Sequence, residues 1–413
     1  MSADLQAPGL PALRRARTAV AACFFTNAVV YANLVPRYPE VKDRLGLTNA
    51  ALGAALAAFP LGSLLAALSS AVLIRRLGSA RLASFGLVLL SLALWSAAIA
   101  PRWWVLAAAL LVAGALDAVA DVAQNAHGLR VQRHYGRSIL NAFHGLWSVG
   151  AVTGGLLGSA AAGLGVPLGV HLALSAAVFS VLALLGSRLM LPGPDSADRA
   201  SDPVPDDAGP GDAGGPPWRG GARRTAALML AALGVLAVCG AFVEDAGASW
   251  SALYLRGDLA AGAAAAGLGF VALQTAMTIG RLTGDRVVDR FGQRRVARAG
   301  GAVTAAGMGL ALAFPSVPAT LVGFALAGLG MATLIPAVFA AADQLPGLPH
   351  GAGLAVSNWL LRIGFLLSPP LIGLVADTAG LRIALLTVVL AGTGVLVLGR
   401  VLRAPVGPAD ARA

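Results

Sequence analysis

Lysine is almost missing from this chain: Lys42 is the only one among 413 residues. Charge of any kind is scarce, at 12% of residues against 57% hydrophobic. A soluble domain carries about a quarter charged residues and roughly half apolar ones. A soluble globular chain is therefore excluded, and the composition is that of a polytopic membrane protein. The two cysteines, Cys23 and Cys239, lie inside apolar segments without CxxC or metal-ligand spacing. They give no disulfide framework and no cysteine-built metal site. No HExxH, paired CxxC or nucleophile motif occurs, which disfavours a membrane enzyme. The phosphate-binding pattern GxxxxGK[ST] is also missing, which disfavours a primary pump. No cofactor or metal is expected.

What remains is arginine. The formal net charge is +11, yet the arginines fall at the ends of apolar segments rather than on one patch, so membrane topology explains them better than nucleic acid does. Arg14, Arg15 and Arg17 precede the first apolar run without a small-residue cleavage site, so that run reads as a retained helix, not a signal peptide. Alanine and glycine are abundant enough that small residues alone carry little information.

Runs of about 20 apolar residues, the length that crosses a bilayer, fall near 17–36, 48–74, 80–100, 103–128, 138–164 and 167–190. A second set follows near 223–254, 261–288, 294–314, 317–342, 351–376 and 380–402. The expected organisation is a tail at 1–16, a six-helix bundle at 17–190, a linker at 191–222, a second six-helix bundle at 223–403 and a tail at 404–413. Pro192 to Gly221 is rich in proline, glycine and aspartate and cannot bury enough apolar surface to order itself. It reads as a tether between halves, with a regulatory role as the alternative. Segments on one side carry most of the arginines, among them Arg75, Arg76, Arg130, Arg133, Arg286, Arg290 and Arg400. The other side carries Arg37, Lys42, Arg44, Arg102, Arg256 and Arg382. By the positive-inside rule both termini and the linker are expected in the cytoplasm.

The segment Gly280 to Arg298 is a charge-dense turn between two apolar runs and must cap two membrane helices at an aqueous face. Gly280, Asp285, Arg286, Asp289, Arg290, Gly292, Arg294 and Arg295 carry its pattern, a glycine-containing helix end followed by Asp-Arg-x-Gly-x-Arg-Arg. This resembles the signature loop of the major facilitator superfamily, where it acts as a conformational switch. A fainter copy, Arg75 to Arg81, lies 214 residues upstream (292 − 78). The same offset carries Gly114 onto Gly328 and Gly150 onto Gly364. The chain is thus a duplicated half, and parallel repeats of six helices are how that superfamily is built. The copy has Arg75 in place of Asp289 and Ala71 in place of Asp285, which puts a switch role for it in doubt. The resemblance implies an all-α membrane protein, twelve transmembrane helices in two pseudo-symmetric six-helix bundles.

Candidate chemistry lies where polar residues interrupt the spans. In the fourth, Gly114, Asp117, Asp121, Asn125 and Gly128 share a helix face at three- and four-residue spacing. Asp117 is near mid-span, where an ionised carboxylate is costly unless paired. It is the first candidate for proton coupling, with Asp121 second; the alternative is a structural aspartate. The seventh span brings Glu244 and Asp245, which point about 100° apart on a helix, so one is expected to be functional and one structural. Trp250 and Tyr254 beyond them fit either an interfacial aromatic belt or a stacking platform. In the fifth span Asn141, His144 and Ser148 share a face, while Gly150, Gly154 and Gly158 form a small-residue strip for close helix approach. His144 could relay protons or simply bond a carbonyl. The runs around Glu244 and His144 resemble a branch of the superfamily related to the fucose permease. The first span has no acid, so that permease's two-acid scheme does not carry over whole.

Arg362 interrupts the eleventh span near its middle. Because the seventh and eleventh helices are neighbours in this fold, Glu244 or Asp245 is its expected partner, with substrate anion binding as the other reading. Asn27, Tyr31, Asn33, Asn125, Ser148, Trp250, Gln274, Asn358 and Arg362 supply groups for a polar solute. The expected function is a monomeric secondary transporter in a bacterial inner membrane, working by alternating access on a small polar solute such as a sugar, coupled to protons. A proton-driven exporter of drugs or metabolites is the alternative, and a non-transporting sensor on the same fold is the reading from another class.

Overall fold

The structure is a computed structural model, and it describes residues 9–193, 220–345 and 352–402. Most of the linker at 191–222, the first half of the N-terminal tail and the whole C-terminal tail lie outside these. The described residues are helical throughout, with no strand among them. The helices are α1 (Leu10–Ala32), α2 (Tyr38–Leu45), α3 (Asn49–Leu77), α4 (Ser79–Ala98), α5 (Trp103–Tyr135), α6 (Leu140–Gly163), α7 (Leu168–Ser187), α8 (Gly220–Asp245), α9 (Ser251–Gly257), α10 (Ala263–Phe291), α11 (Gln293–Ala313), α12 (Val317–Met331), α13 (Leu334–Asp343), α14 (Ala352–Ala379), α15 (Leu381–Ala384) and α16 (Leu386–Leu398). They make up 12 segments long and apolar enough to cross a membrane, from Leu10–Leu45 to Leu381–Val401. Each overlaps one of the twelve apolar runs read from the sequence.

Where these helices break, the local chemistry says why. Pro336 has no N–H to give the Ala332 carbonyl one turn earlier, and the chain leaves helix at Ala332 and Thr333 between α12 and α13. At the start of α12 the Ser316 hydroxyl accepts the Ala319 N–H at 3.3 Å, closing an orphan donor. The turn from α3 to α4 passes through Gly78 at φ +83°, and that from α10 to α11 through Gly292 at φ +81°. Both have ψ 147°, a conformation open in practice to glycine alone. The two copies of the arginine-rich loop thus share one backbone conformation, 214 residues apart.

The chain divides by contact into two compact units, Met1–Val41 with Ala58–Ala208 and Lys42–Ala57 with Gly209–Ala413. The sequence boundaries put 17–190 in one bundle; by contact, Lys42–Ala57 group with the second unit. Asp377 near the end of α14 accepts the Asn49 and Ala50 N–H groups at 2.8 and 2.9 Å, capping the start of α3. A Cβ on Gly53 would collide with the Pro369 carbonyl, and one on Gly373 with that of Asn49. Glycine on both helices is what permits this approach.

Within the first unit α6 lies along α1. Gly150, Gly154 and Gly158 sit against the Phe25, Val29 and Asn33 carbonyls, where a Cβ would stand 2.5 Å from each oxygen. Close approach replaces hydrophobic burial as the force between helices in lipid. Phe24 stacks on Phe143 with ring centroids 5.5 Å apart, inside a core that includes Leu13, Val20, Val131 and Ile139. At the other end of α1, Arg37 is buried with 1% exposure. Its guanidinium grips Glu40 at 2.8 and 2.6 Å and the Val166 carbonyl at 2.7 Å. Arg37 can only donate, so His171 Nδ1, at 3.3 Å, accepts, and His171 Nε2 donates to Asn33 Oδ1 at 3.1 Å. That order requires a neutral imidazole. Asn33, grouped by sequence with solute-binding residues, is spent on this network.

The second unit repeats the packing. Gly114 meets the Phe59 carbonyl and Gly328 meets that of Leu273, so close that no Cβ fits at either. Both partners are displaced by 214. Gly150 lies on Phe25 and Ala28, and Gly364 on Val238 and Ala241. Here the glycines differ by 214 but their partners by 213, so one extra residue enters between Ala241 and Leu273. That interval contains a π-helical turn, Ala246–Trp250, the form an α-helix takes when one residue is inserted.

Candidate membrane-embedded polar site

Three helices of the first unit converge on Asp117. The Asn27 Nδ2 of α1 donates to Asp117 Oδ1 of α5 at 2.8 Å. Trp147 Nε1 of α6 donates to Asn27 Oδ1 at 2.9 Å. The indole fixes which way the amide points, and the amide then presents its N–H to the carboxylate. Asn27 is buried, whereas Asp117 and Trp147 are half-buried. The i, i+4 stripe on α5 continues with Asp121, whose Oδ1 accepts from Gln124 and Asn125, both at 3.1 Å. Asn125 also donates to the Asp121 carbonyl at 2.8 Å. Asn125 therefore braces Asp121 on its own helix.

The other first-unit candidates are dispersed. The His144 ring is exposed and stands edge-on to Phe24 at 5.2 Å. Tyr31 packs on Phe59 at 4.7 Å and receives the Tyr38 hydroxyl at 3.5 Å. Ser148 is buried at 5% exposure. Trp147 was not among the candidates, although it sits one turn after the Asn141–His144 pair. An indole in an apolar run looks like core until its N–H is seen to have a partner.

In the second unit the two adjacent acids part company, as their angular separation requires. Glu244 pairs with Arg281 of α10 at 3.5 Å. Asp245 is buried at 8% exposure and accepts the Ser249 hydroxyl at 2.7 Å. Its second oxygen has no partner among the described residues. The expected pairing of Arg362 with either acid is overturned by the rotation of α14. Leu360 and Gly364 face Gly234, Val238 and Ala241 of α8, and Arg362, two residues from each, points to the opposite side. The helices are neighbours, but the arginine is on the wrong face. Arg281 went unseen as a partner although it follows Gly280 directly in the signature loop.

Trp250 and Tyr254 are both fully buried at 0% exposure. Burial takes both rings off the lipid-facing surface, against the aromatic-belt reading, and neither the Trp250 Nε1 nor the Tyr254 hydroxyl has a hydrogen-bond partner among the described residues. Gln274 is buried as well, at 3%. Asn358 and Arg362 are half-buried. In the loop, Gly280 packs on Ala332, Arg294 is half-buried, and Asp285, Arg286, Asp289, Arg290 and Arg295 are exposed. None of these charges forms an ion pair among the described residues; Arg290 lies over the Phe291 ring at 5.6 Å.

This architecture has known counterparts. The nucleoside transporter NupG superposes with a TM-score of 0.71 at 13% identity, over 93% of this chain and 97% of that one. FucP in the outward conformation superposes with a TM-score of 0.57 at 20% identity, over 93% and 97%. At such identities the likeness is one of fold. In sequence the chain is 30% identical over 386 residues to an uncharacterized transporter of Sinorhizobium fredii, covering 93% of this chain and 97% of the relative. The profile of the Major Facilitator Superfamily matches residues 20–244 and 234–413. Twelve membrane-spanning helices, a repeated half and a family match over nearly the whole length lead to one conclusion: the chain belongs to the Major Facilitator Superfamily and is a transporter rather than an enzyme.

Proposed function

We propose that this transporter moves a small polar solute by alternating access, coupled to protons, with Asp117 as the coupling carboxylate. The observation that carries the reading is the Trp147–Asn27–Asp117 chain across three helices. The Asn27 amide, itself oriented by the Trp147 indole, holds the Asp117 carboxyl between helices whether or not it carries its proton. At Glu244 protonation would break the pair with Arg281. Coupling then requires only that proton affinity at Asp117 differ between inward- and outward-open states. Asp121 and Asp245 are secondary candidates, and the exposed signature loop is the switch that biases the two states. The arginine distribution supports a bacterial inner membrane with both termini and the linker in the cytoplasm; a monomer suffices for the mechanism. NupG is a nucleoside transporter, and a polar, hydroxylated solute is the class taken here by analogy.

The test uses purified protein in liposomes loaded with a pH-sensitive dye. Solutes that raise the protein's thermal unfolding midpoint are added outside without a pH gradient. Proton movement that starts with solute addition and is silenced by Asp117→Asn is the expected result. Solute flux without proton movement, and indifferent to a pH gradient, would overturn it.

A further inference from the structure

We infer that the solute carries a carboxylate, and that Arg362 with Asn358 on α14 is the element that recognises it. The inference deepens the carrier reading and rests on it for transport, though not for binding.

An arginine far inside a membrane helix needs an anion, water or an escape to the interface. Arg362 lies ten residues into the 28-residue α14, about 15 Å along the axis at roughly 1.5 Å per residue. Among the described residues it has neither an ion pair nor a hydrogen bond. Glu244 is paired with Arg281 and Asp377 caps the start of α3, while Asp245 ends α8, the helix packed on the opposite face of α14.

The rotation of α14 says where the guanidinium is offered. One face carries Gly353, Ser357, Leu360, Gly364 and Ser368, packed on α8 and α13 or fully buried. The opposite face carries Asn358, Arg362, Pro369 and Gly373. Pro369 and Gly373 of that face receive Gly53 and Asn49 of α3. Asn358 and Arg362, one turn apart and half-buried, continue the same line beyond the α3 contact. Val356, Trp359, Ile363 and Leu367 are exposed apolar residues on one flank, which suits lipid and leaves Asn358 and Arg362 as the polar pair on the face opposite α8.

The chemistry narrows the ligand. A guanidinium offers five N–H donors in a planar fork that matches a carboxylate in two parallel hydrogen bonds. Asn358 adds an amide that both donates and accepts, which fits a hydroxyl beside the carboxylate. A hydroxylated organic acid satisfies both side chains; a neutral sugar leaves the arginine uncompensated.

The experiment measures thermal unfolding of purified full-length protein with D-glucuronate, D-gluconate and glycerate, each beside its neutral counterpart D-glucose, D-glucitol or glycerol. At least one acid is expected to stabilise the wild type where its neutral counterpart does not. Arg362→Gln should weaken that binding roughly tenfold or more, the scale of one charge-assisted hydrogen bond. Arg362→Lys should keep part of it, and Asn358→Ala, which leaves the charge in place, should weaken it less. Equal stabilisation by acid and neutral partner in every pair, or undiminished acid binding in Arg362→Gln, overturns the inference. Counterflow in liposomes separates the two claims. Acid binding without counterflow refutes the carrier and leaves the site, whereas counterflow of the neutral members alone refutes the site and leaves the carrier.

Discussion

The two units share a scaffold and differ in their chemistry. Gly114 on Phe59 and Gly328 on Leu273 are one contact made twice, as are the loop glycines Gly78 and Gly292. The polar residues do not repeat. Displaced by 214, Asp117 falls on Met331, Asp121 on Ile335, Arg281 on Ala67 and Arg362 on Ser148. Backbone-to-backbone approach tolerates only glycine, so each copy is pinned wherever helices touch. A polar group facing away from those contacts is under no such constraint. In the first unit Asp117 accepts from a neutral amide and the acid–arginine pair is Glu40 with Arg37, whereas in the second the pair is Glu244 with Arg281 and Arg362 is uncommitted.

Breaking the shared scaffold is expected to have the largest effect. Gly114→Leu and Gly328→Leu each drive a side chain into a backbone carbonyl that cannot yield, costing upwards of about 4 kcal/mol. Neither variant should be recovered folded by size-exclusion chromatography in detergent. If one folds normally, the repeat does not bear equally on both units.

The next effect is confined to the first unit. Arg37→Ala removes a fully buried guanidinium and strands the Val166 carbonyl and His171 Nδ1 without their donor, a loss of about 1–3 kcal/mol for each acceptor. Arg281→Ala in the second unit, where both partners are partly exposed, should cost on the order of 1 kcal/mol. Thermal unfolding of the two proteins side by side measures the contrast. Equal losses would erase it.

A double-mutant cycle then sharpens the second unit. Glu244→Gln with Arg281→Gln should show coupling of a few tenths to about 1 kcal/mol, and Glu244→Gln with Arg362→Gln should be additive. Coupling in the second cycle would restore the pairing that the rotation of α14 denies. Smallest of all is Arg290→Ala in the exposed loop, which should change stability by less than about 0.5 kcal/mol while slowing solute exchange. A normal exchange rate would remove the loop from the switch.

The sequence made the membrane spans, the repeat and the glycine strip legible because each is written in composition or in spacing along one helix. Helix rotation is not. That α14 neighbours α8 was correctly expected, but the face Arg362 takes depends on Leu360 and Gly364 packing first. The π-turn at Ala246–Trp250 was likewise invisible, since an inserted residue looks like any other, and so was the full burial of Trp250 and Tyr254. The link from Asn27 to Asp117 spans 90 positions, and no local pattern signals it. Only its members' types were readable.

The central claim is that charge at Asp117, and not its shape, couples the proton to the solute. Asp117→Asn keeps the size and the contact with Asn27 but removes the titrating group. Using a solute identified by thermal shift, accumulation driven by a pH gradient is compared with solute exchange at equal pH on both sides of the same liposomes. The account predicts that accumulation is abolished while exchange persists at a rate near that of the wild type. Accumulation unchanged in Asp117→Asn would contradict it, and so would loss of both activities in a protein that still folds.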